Sequence, residues 1–293
     1  MAIDFAVFIL THGRPDNVIT VKTLKRQGYT GPLYLIVDDE DDTKDEYVRR
    51  FGNDRVIVFD KKAEADKVDE GNNFDERRTI THARNASFGI AKKLGVRRFL
   101  QLDDDYQFFE WRMEPGMKKV KRLDGIFSAM VRMYNGVPAA SLAFAQGGDF
   151  IGGTNNKSFT ESRLKRKCMN SFFCSNERSF RFIGAMNEDV NTYTTLASRG
   201  VLFFTMPLVS LTQKATQSQS GGISDMYLLF GTYCKAFTTV IMMPSCVKVA
   251  MMGHKHKRLH HQIRWRNCVP VILHERVCKR LQTKEKQWES ATD

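Results

Sequence analysis

The chain has 293 residues and a formal net charge of +12, with 42% hydrophobic and 27% charged side chains, a folded globular make-up that excludes a disordered or low-complexity polymer. No apolar run reaches the ~20 residues of a membrane-spanning helix. The six cysteines are scattered without a CxxC pair, which argues against a disulfide framework or a zinc site and for free thiols in a reducing compartment. Met1 to Leu10 has neither the basic flank nor the cleavage site of a signal peptide, so a cytoplasmic location is expected.

In chain order, Phe5 to Leu10 reads as a buried strand. A loop, Thr11-His12-Gly13-Arg14, follows, and Pro15 opens a helix running to about Gln27. Leu33 to Val37 is a second strand, ending at Asp38-Asp39. A charged helix over 43–51 and a third strand over 55–59 come next, then a polar stretch, 61–75, expected to be a loop. A helix over 77–94 leads through Gly95 into a strand that ends in Asp103-Asp104-Asp105. This alternation predicts an α/β fold, with a parallel sheet covered by helices on its faces.

Beyond Asp105 the rhythm changes. The pattern predicts a helix over 123–134, a strand over 139–145 and a glycine-rich loop over 146–153 that contains Gly147-Gly148 and Gly152-Gly153. A short strand over 180–185, a helix over 187–198, a strand over 201–205 and a polar loop over 213–222 follow, with short helices in the last seventy or so residues. Charge changes at the same point. Residues 1–110 carry 18 basic and 21 acidic residues, a net of −3, whereas residues 111–293 carry 27 and 12, a net of +15. Basic clusters lie at 118–122, 163–167 and 255–266, with phenylalanines and Trp265 among them. A nucleic-acid partner is one reading, with Lys165, Arg166, Lys167, Lys255, Lys257 and Arg258 as candidate contacts. A solubilising surface is the other.

The run Asp103-Asp104-Asp105 carries the most chemistry. Three adjacent carboxylates repel one another, and hard Mg²⁺ or Mn²⁺ prefers carboxylate oxygens. In an open α/β sheet ligands also sit at the carboxyl ends of strands. Alternate side chains leaving a strand point the same way, so Asp103 and Asp105 can share one cation while Asp104 faces elsewhere. A solvated strand-to-loop turn is the plain alternative.

Several short elements stand in a telling order: Thr11-His12-Gly13-Arg14-Pro15, Asp38-Asp39, His82-Ala83-Arg84-Asn85-Ala86, the Asp-x-Asp, a glycine-rich loop, Asn187-Glu188-Asp189 and a late histidine cluster from His254 to His261. In this order the chain resembles the GT-A class of nucleotide-sugar glycosyltransferases, and more narrowly the phage TET-associated enzymes that decorate hydroxymethylated pyrimidines in DNA. The resemblance implies a single Rossmann-like GT-A domain over 1–293, a mixed sheet with helices on both faces and a basic C-terminal extension. Residues 1–110 would bind the nucleotide-sugar and 111–293 the acceptor.

It further implies Mn²⁺ or Mg²⁺, a UDP-linked sugar donor, modified double-stranded DNA as acceptor and no membrane partner; for a phage protein the location is the host cytoplasm. Donor contacts would come from Thr11, His12, Arg14, Asp38, Asp39, Arg84, Asp103, Asp104, Gly147 and Gly148, Asp104 being the most structural of the three consecutive acids. Asp105 and Asp103 would hold the metal, with His254 or His256 as a late ligand. Asp189, with Glu188 as fallback, would be the general base of an inverting transfer; in a retaining enzyme this acid would bind acceptor or donor instead. Other functions stay open on the residues alone: a glycosyltransferase for polysaccharide or protein, a non-catalytic nucleic-acid-binding protein, or a two-metal nuclease or nucleotidyltransferase using the same acids.

Overall fold

The computed structural model describes residues 3–70, 77–112, 118–146, 171–213, 223–252 and 257–268, with isolated positions as far as 283. Strand β1 (Ile3–Leu10) is apolar along its centre, and Ala6, Val7, Phe8 and Ile9 have no exposed surface. A strand buried on both faces belongs in the middle of a sheet with parallel neighbours. Those neighbours are β2 (Leu33–Asp38), with β3 (Val56–Phe59) beyond it, and β4 (Val96–Asp103) on the other side. The linking helices are α1 (Ile19–Arg26), α2 (Lys44–Phe51), α3 (Lys61–Ala65) and α4 (Thr81–Lys93).

The sheet is mixed. Its remaining strands are β5 (Tyr106–Trp111), β6 (Lys118–Lys119), β7 (Ala139–Gln146), β8 (Ser171–Ser175) and β9 (Leu202–Gln213), in the order β3-β2-β1-β4-β8-β7-β9-β5-β6. β8 runs antiparallel to β4 and β7, β9 runs parallel to β7, and β5 runs antiparallel to β9. One face is covered by α1 and α5 (Leu123–Gly136), through Val21, Leu24, Leu123, Phe127 and Met130. The other is covered by α4 and α6 (Glu188–Ala197), through Ala86, Ile90, Val190 and Tyr193. After the sheet come α7 (Ile223–Met242), a separate antiparallel pair of β10 (Val247–Met252) and β11 (Arg258–Ile263), and α8 (Trp265–Cys268). No helix among the described residues is long and apolar enough to cross a membrane.

The structure departs from the expected elements in four places. Residues 61–65 form helix α3 rather than loop, because Asp60 caps it by accepting a hydrogen bond from the Ala63 N–H at 2.7 Å. Pro15 opens a 3-10 turn (Pro15–Asn17), and α1 starts afresh at Ile19. The strand expected over 180–185 is irregular. Asn85 accepts from the Phe182 N–H at 2.8 Å and donates to its carbonyl at 3.0 Å, taking the place of a neighbouring strand. The strand of this region is instead β8, two positions of which are Phe172 and Phe173. The tail expected to hold short helices contains the 20-residue α7 and the β10–β11 hairpin.

Candidate active site at the carboxyl edge of the sheet

Register places three loops side by side. Leu10 pairs with Ile36 on one side and Asp103 on the other. The segments 11–14, 38–41 and 103–105 therefore leave the sheet together at its carboxyl edge, where open α/β sheets take ligands.

On the β1–β2 side, the His12 ring meets Asp38 Oδ2 at 2.7 Å and Asp41 Oδ2 at 3.7 Å. The Asp38 hydrogen bond raises the His12 imidazole above its ordinary value, against the opposing effect of burial. Burial alone would raise Asp38, but His12 and Lys61 together hold it below the usual carboxylate range. Lys61 is buried and reaches Asp38 Oδ1 at 3.2 Å, while its N–H donates to Asp39 Oδ1 at 2.9 Å. Gly13 takes φ +68°, a left-handed conformation glycine adopts freely, and its N–H donates to Asp41 Oδ2 at 2.7 Å.

The acidic turn is tied down from α1 and from the β1 loop. Thr20 Oγ1 donates to the Asp103 carbonyl at 2.6 Å and accepts from the Tyr106 N–H at 3.0 Å, and its own N–H donates to the Asp104 carbonyl at 3.0 Å. Thr11 donates to Asp104 Oδ2 at 2.7 Å, and Arg14 stands 3.5 Å from Oδ1. Tyr47 hydrogen-bonds the Thr11 hydroxyl and accepts from the Arg14 N–H. Asp104 is thus buried inward; burial raises its carboxyl, and Arg14 and Thr11 oppose that rise. Asp103 and Asp105, on either side of it, are only partly buried.

Arg84 joins this turn to the later part of the chain. It is 1% exposed on α4. Its Nη2 donates to Asp103 Oδ1 at 3.1 Å and its Nε to Glu188 Oε1 at 3.0 Å. The guanidinium also lies over the Phe172 and Phe182 rings, at 5.1 and 5.7 Å from their centroids. Burial disfavours its charge, but Asp103 and Glu188 keep it protonated. Arg84 therefore belongs to the carboxylate cluster and is no surface ion pair. Asp103 is pushed up to about 7, first by burial and then by Asp105, Glu188 and Asp104, with Arg84 opposing.

Glu188 and Asp189 open α6, where acids complement the helix dipole. Asn187 just before them has φ 54°, the one left-handed non-glycine among the described residues. Its Nδ2 donates to the Lys235 carbonyl at 2.6 Å and to Thr239 Oγ1 at 3.0 Å on α7. Both acids are buried; Glu188 is committed to Arg84, and Asp189 Oδ1 accepts from the Val190 N–H at 2.8 Å.

The donor set fits a hard divalent cation. The side chains of Asp103 and Asp105 offer oxygens only, and the negative charge crowding Asp103 is opposed by the single guanidinium of Arg84. Two carboxylates, completed by substrate phosphates, are a usual Mg²⁺ arrangement. Among the described residues no three acidic, histidine or cysteine side chains form a ready-made cage. Gly147, Gly148, Lys165, Arg166, Lys167, His254, Lys255 and His256 lie outside the described residues. Lys257 and Arg258 are exposed at the start of β11. Thr20, Tyr47, Asp41 and Lys61 are the site residues that sequence reasoning passed over. Only Lys61, directly after the capping Asp60, carried a local signal.

Among solved structures, the chain is similar to the mannosyltransferase PcManGT from Pyrobaculum calidifontis in complex with GDP-Man and Mn²⁺, at 13% identity and TM-score 0.47, over 84% of this chain and 75% of that one. It is also similar to S. aureus TarS 1-349 in complex with UDP, at 12% identity and TM-score 0.45, over 83% and 66%. A third is glucosyl-3-phosphoglycerate synthase from Mycobacterium tuberculosis in complex with Mn²⁺, UDP and phosphoglyceric acid, at 11% identity and TM-score 0.46, over 92% and 88%. No curated protein matches the chain.

The family model that matches the chain puts this mixed α/β sheet in the class of glycosyltransferases. Within that class the chain belongs to the TET-associated glycosyltransferases, whose family model matches residues 5–222.

Proposed function

We propose that the protein is a divalent-metal-dependent glycosyltransferase that moves a sugar from a UDP-linked donor to the hydroxyl of 5-hydroxymethylated pyrimidines in DNA. The observation that carries this reading is Arg84, which brings Asp103 at the carboxyl edge together with Glu188, next to Asp189, at the start of α6. Residues 1–110 bind the donor, with His12 and Asp38 beside the base and ribose and Arg14 at the loop mouth. Asp105 and Asp103 hold the cation, which when bound neutralises the diphosphate leaving group. His254 and His256 stand as candidates for a late ligand, and Gly147-Gly148 for close backbone approach to the donor.

In an inverting transfer the acceptor hydroxyl oxygen forms a bond to the anomeric carbon through an oxocarbenium-like transition state. The bond from that carbon to the β-phosphate oxygen breaks, and its electron pair leaves with UDP. Asp189 takes the hydroxyl proton, while Glu188 fixes Arg84. The net of −3 up to residue 110 and +15 beyond it supports a polyanionic acceptor bound by residues 111–293. A base within a duplex must be flipped out to be reached. The test is transfer of radiolabelled sugar to hydroxymethylcytosine DNA against unmodified DNA, across the common UDP-sugars with Mn²⁺. Label confined to the modified DNA is expected; equal or absent labelling overturns the reading.

A further inference from the structure

The family match ends at residue 222, but the fold continues into α7, the β10–β11 hairpin and α8. We propose that this unit is the docking platform for the nucleic-acid acceptor, an inference that rests on the DNA reading above.

Charge is the first argument. Residues 223–268 contain seven Lys and Arg and one acid, Asp225. Lys248, Lys257, Arg258, Arg264 and Arg266 are all exposed and pair with no described carboxylate. The hairpin register sorts its side chains by face. Val247, Val249 and Met251 stand opposite Ile263, His261 and Leu259, and Val247 and His261 on this face are buried. The other face sets Lys248, Ala250 and Met252 opposite Gln262, His260 and Arg258, and turns outward with Lys248, Met252, Arg258 and Gln262 exposed.

A second argument is the pattern of α7. Ala236 and Thr239 are buried, whereas Tyr233, Phe237 and Ile241 are 51%, 41% and 55% exposed at a spacing of four. The Tyr233 and Phe237 rings stack on each other at 5.8 Å with planes 11° apart. The helix that carries these two rings packs against the hairpin that carries the cations, and rings with cations are what single-stranded or flipped nucleotides use: stacking for bases, positive charge for phosphates. An apolar protein partner would leave the excess of cations unanswered.

The third argument is position. Asn187, immediately before the Glu188-Asp189 pair, donates to Lys235 and Thr239 of α7. Trp265 of α8 stacks on Tyr193 of α6 at 5.8 Å, with planes 6° apart. The platform is therefore joined to the helix that carries the proposed base, at the end where an acceptor hydroxyl must arrive.

The test measures binding of the full chain to a short duplex containing hydroxymethylcytosine, by fluorescence anisotropy over a salt titration. Lys248→Glu with Arg258→Glu is expected to weaken binding at least tenfold at about 0.1 M salt and to flatten the slope of log K against log salt by about two. Tyr233→Ala with Phe237→Ala is expected to weaken it at least threefold, with the larger loss on a duplex whose target base is unpaired. Lys92→Glu with Lys93→Glu, an equal charge change at the end of α4, is expected to leave affinity within twofold. Melting curves verify that each variant is folded.

Platform variants that bind like the parent, while the parent shows steep salt-dependent binding, overturn the platform and leave the DNA reading intact. A parent that binds no DNA overturns the DNA reading and the platform with it. A dimer that dissociates on Tyr233→Ala with Phe237→Ala assigns the surface to a second copy and likewise overturns it.

Discussion

The carboxyl edge of the sheet and the platform after residue 222 hold charge in opposite ways. At the edge Asp38, Asp41, Asp103, Asp104 and Glu188 are each gripped by a donor from another part of the chain. On the platform five exposed cations meet no described carboxylate. A small ligand with one reactive bond needs fixed geometry, because a misplacement of an ångström costs orders of magnitude in rate. A polyanion offers a row of equivalent phosphates, so register matters less than the sum of charges. On the proposed function, the interlocked edge would serve the donor and the open platform the acceptor.

The comparison breaks most visibly at Asp105. Asp105→Ala is expected to reduce sugar transfer by about 10³-fold or more, on the order of 4 kcal/mol in the barrier, and excess Mn²⁺ does not restore it. The same change relieves the crowding of charge around Asp103, so the melting temperature is expected to hold or rise. Single-turnover kinetics beside a thermal melt measures both. A loss below tenfold, or a collapse of the fold, would remove Asp105 as a ligand.

The acid pair comes next. Asp189→Asn is expected to lower kcat by about 10²- to 10⁴-fold with donor affinity retained, as for loss of a general base. Glu188→Gln is expected to act on stability more than on kcat, because Glu188 Oε1 is occupied by Arg84. Should Glu188→Gln cost more kcat than Asp189→Asn, the two roles are exchanged.

Arg84 tests how far the edge depends on its internal partners. Arg84→Ala leaves Asp103 and Glu188 without their shared cation, and removing one member of a buried ion cluster costs about 3–5 kcal/mol. Arg84→Lys keeps the charge but not the fork that serves both acids, so it recovers only part of that loss. Urea unfolding measures both, and a cost under about 1 kcal/mol would show that the cluster is held by other means.

How much of this was legible in sequence follows from the range of the interactions. β1, β2 and β4 announce themselves by apolar runs ending in polar loops, so the edge and its Asp103–Asp105 turn could be read locally. The clamps could not. Thr20 lies 83 residues before the Asp103 carbonyl it binds, and Arg84 lies 104 before Glu188. A threonine or arginine in a helix carries no mark of a partner that far along the chain. The region 180–185 misled for a related reason: its aromatic run reads as a strand, but Asn85 satisfies Phe182 and Gly184 at φ +84° bends the backbone. The β10–β11 hairpin was hidden because arginine, histidine and glutamine outnumber the apolar residues of β11. The uneven charge between the two halves needed no structure at all.

The smallest expected effect separates the two regions by what they respond to. His12 is raised above 6.5 chiefly by its hydrogen bond to Asp38, with burial opposing, and Asp38 is held below 3.8 against its burial by His12 and Lys61. A raised histidine stabilises the fold fully below its unfolded value of 6.5, and that contribution fades as pH rises through the folded value. A lowered aspartate contributes above 3.8 and loses its contribution as pH falls through the folded value. The pair is therefore worth most between about pH 4 and 6.5. Because the His12 side chain is 47% exposed, screening keeps the contribution below about 1 kcal/mol. His12→Asn should be less stable than the parent in that window, and the gap should narrow at about pH 8, as urea unfolding at several pH values will show. A gap that does not change with pH would mean that His12 acts by packing alone. Lys248→Gln with Arg258→Gln should do the reverse: the DNA affinity it loses relative to the parent should depend on salt and not on pH over the same range, since the lysine and arginine removed stay charged throughout it and glutamine does not titrate.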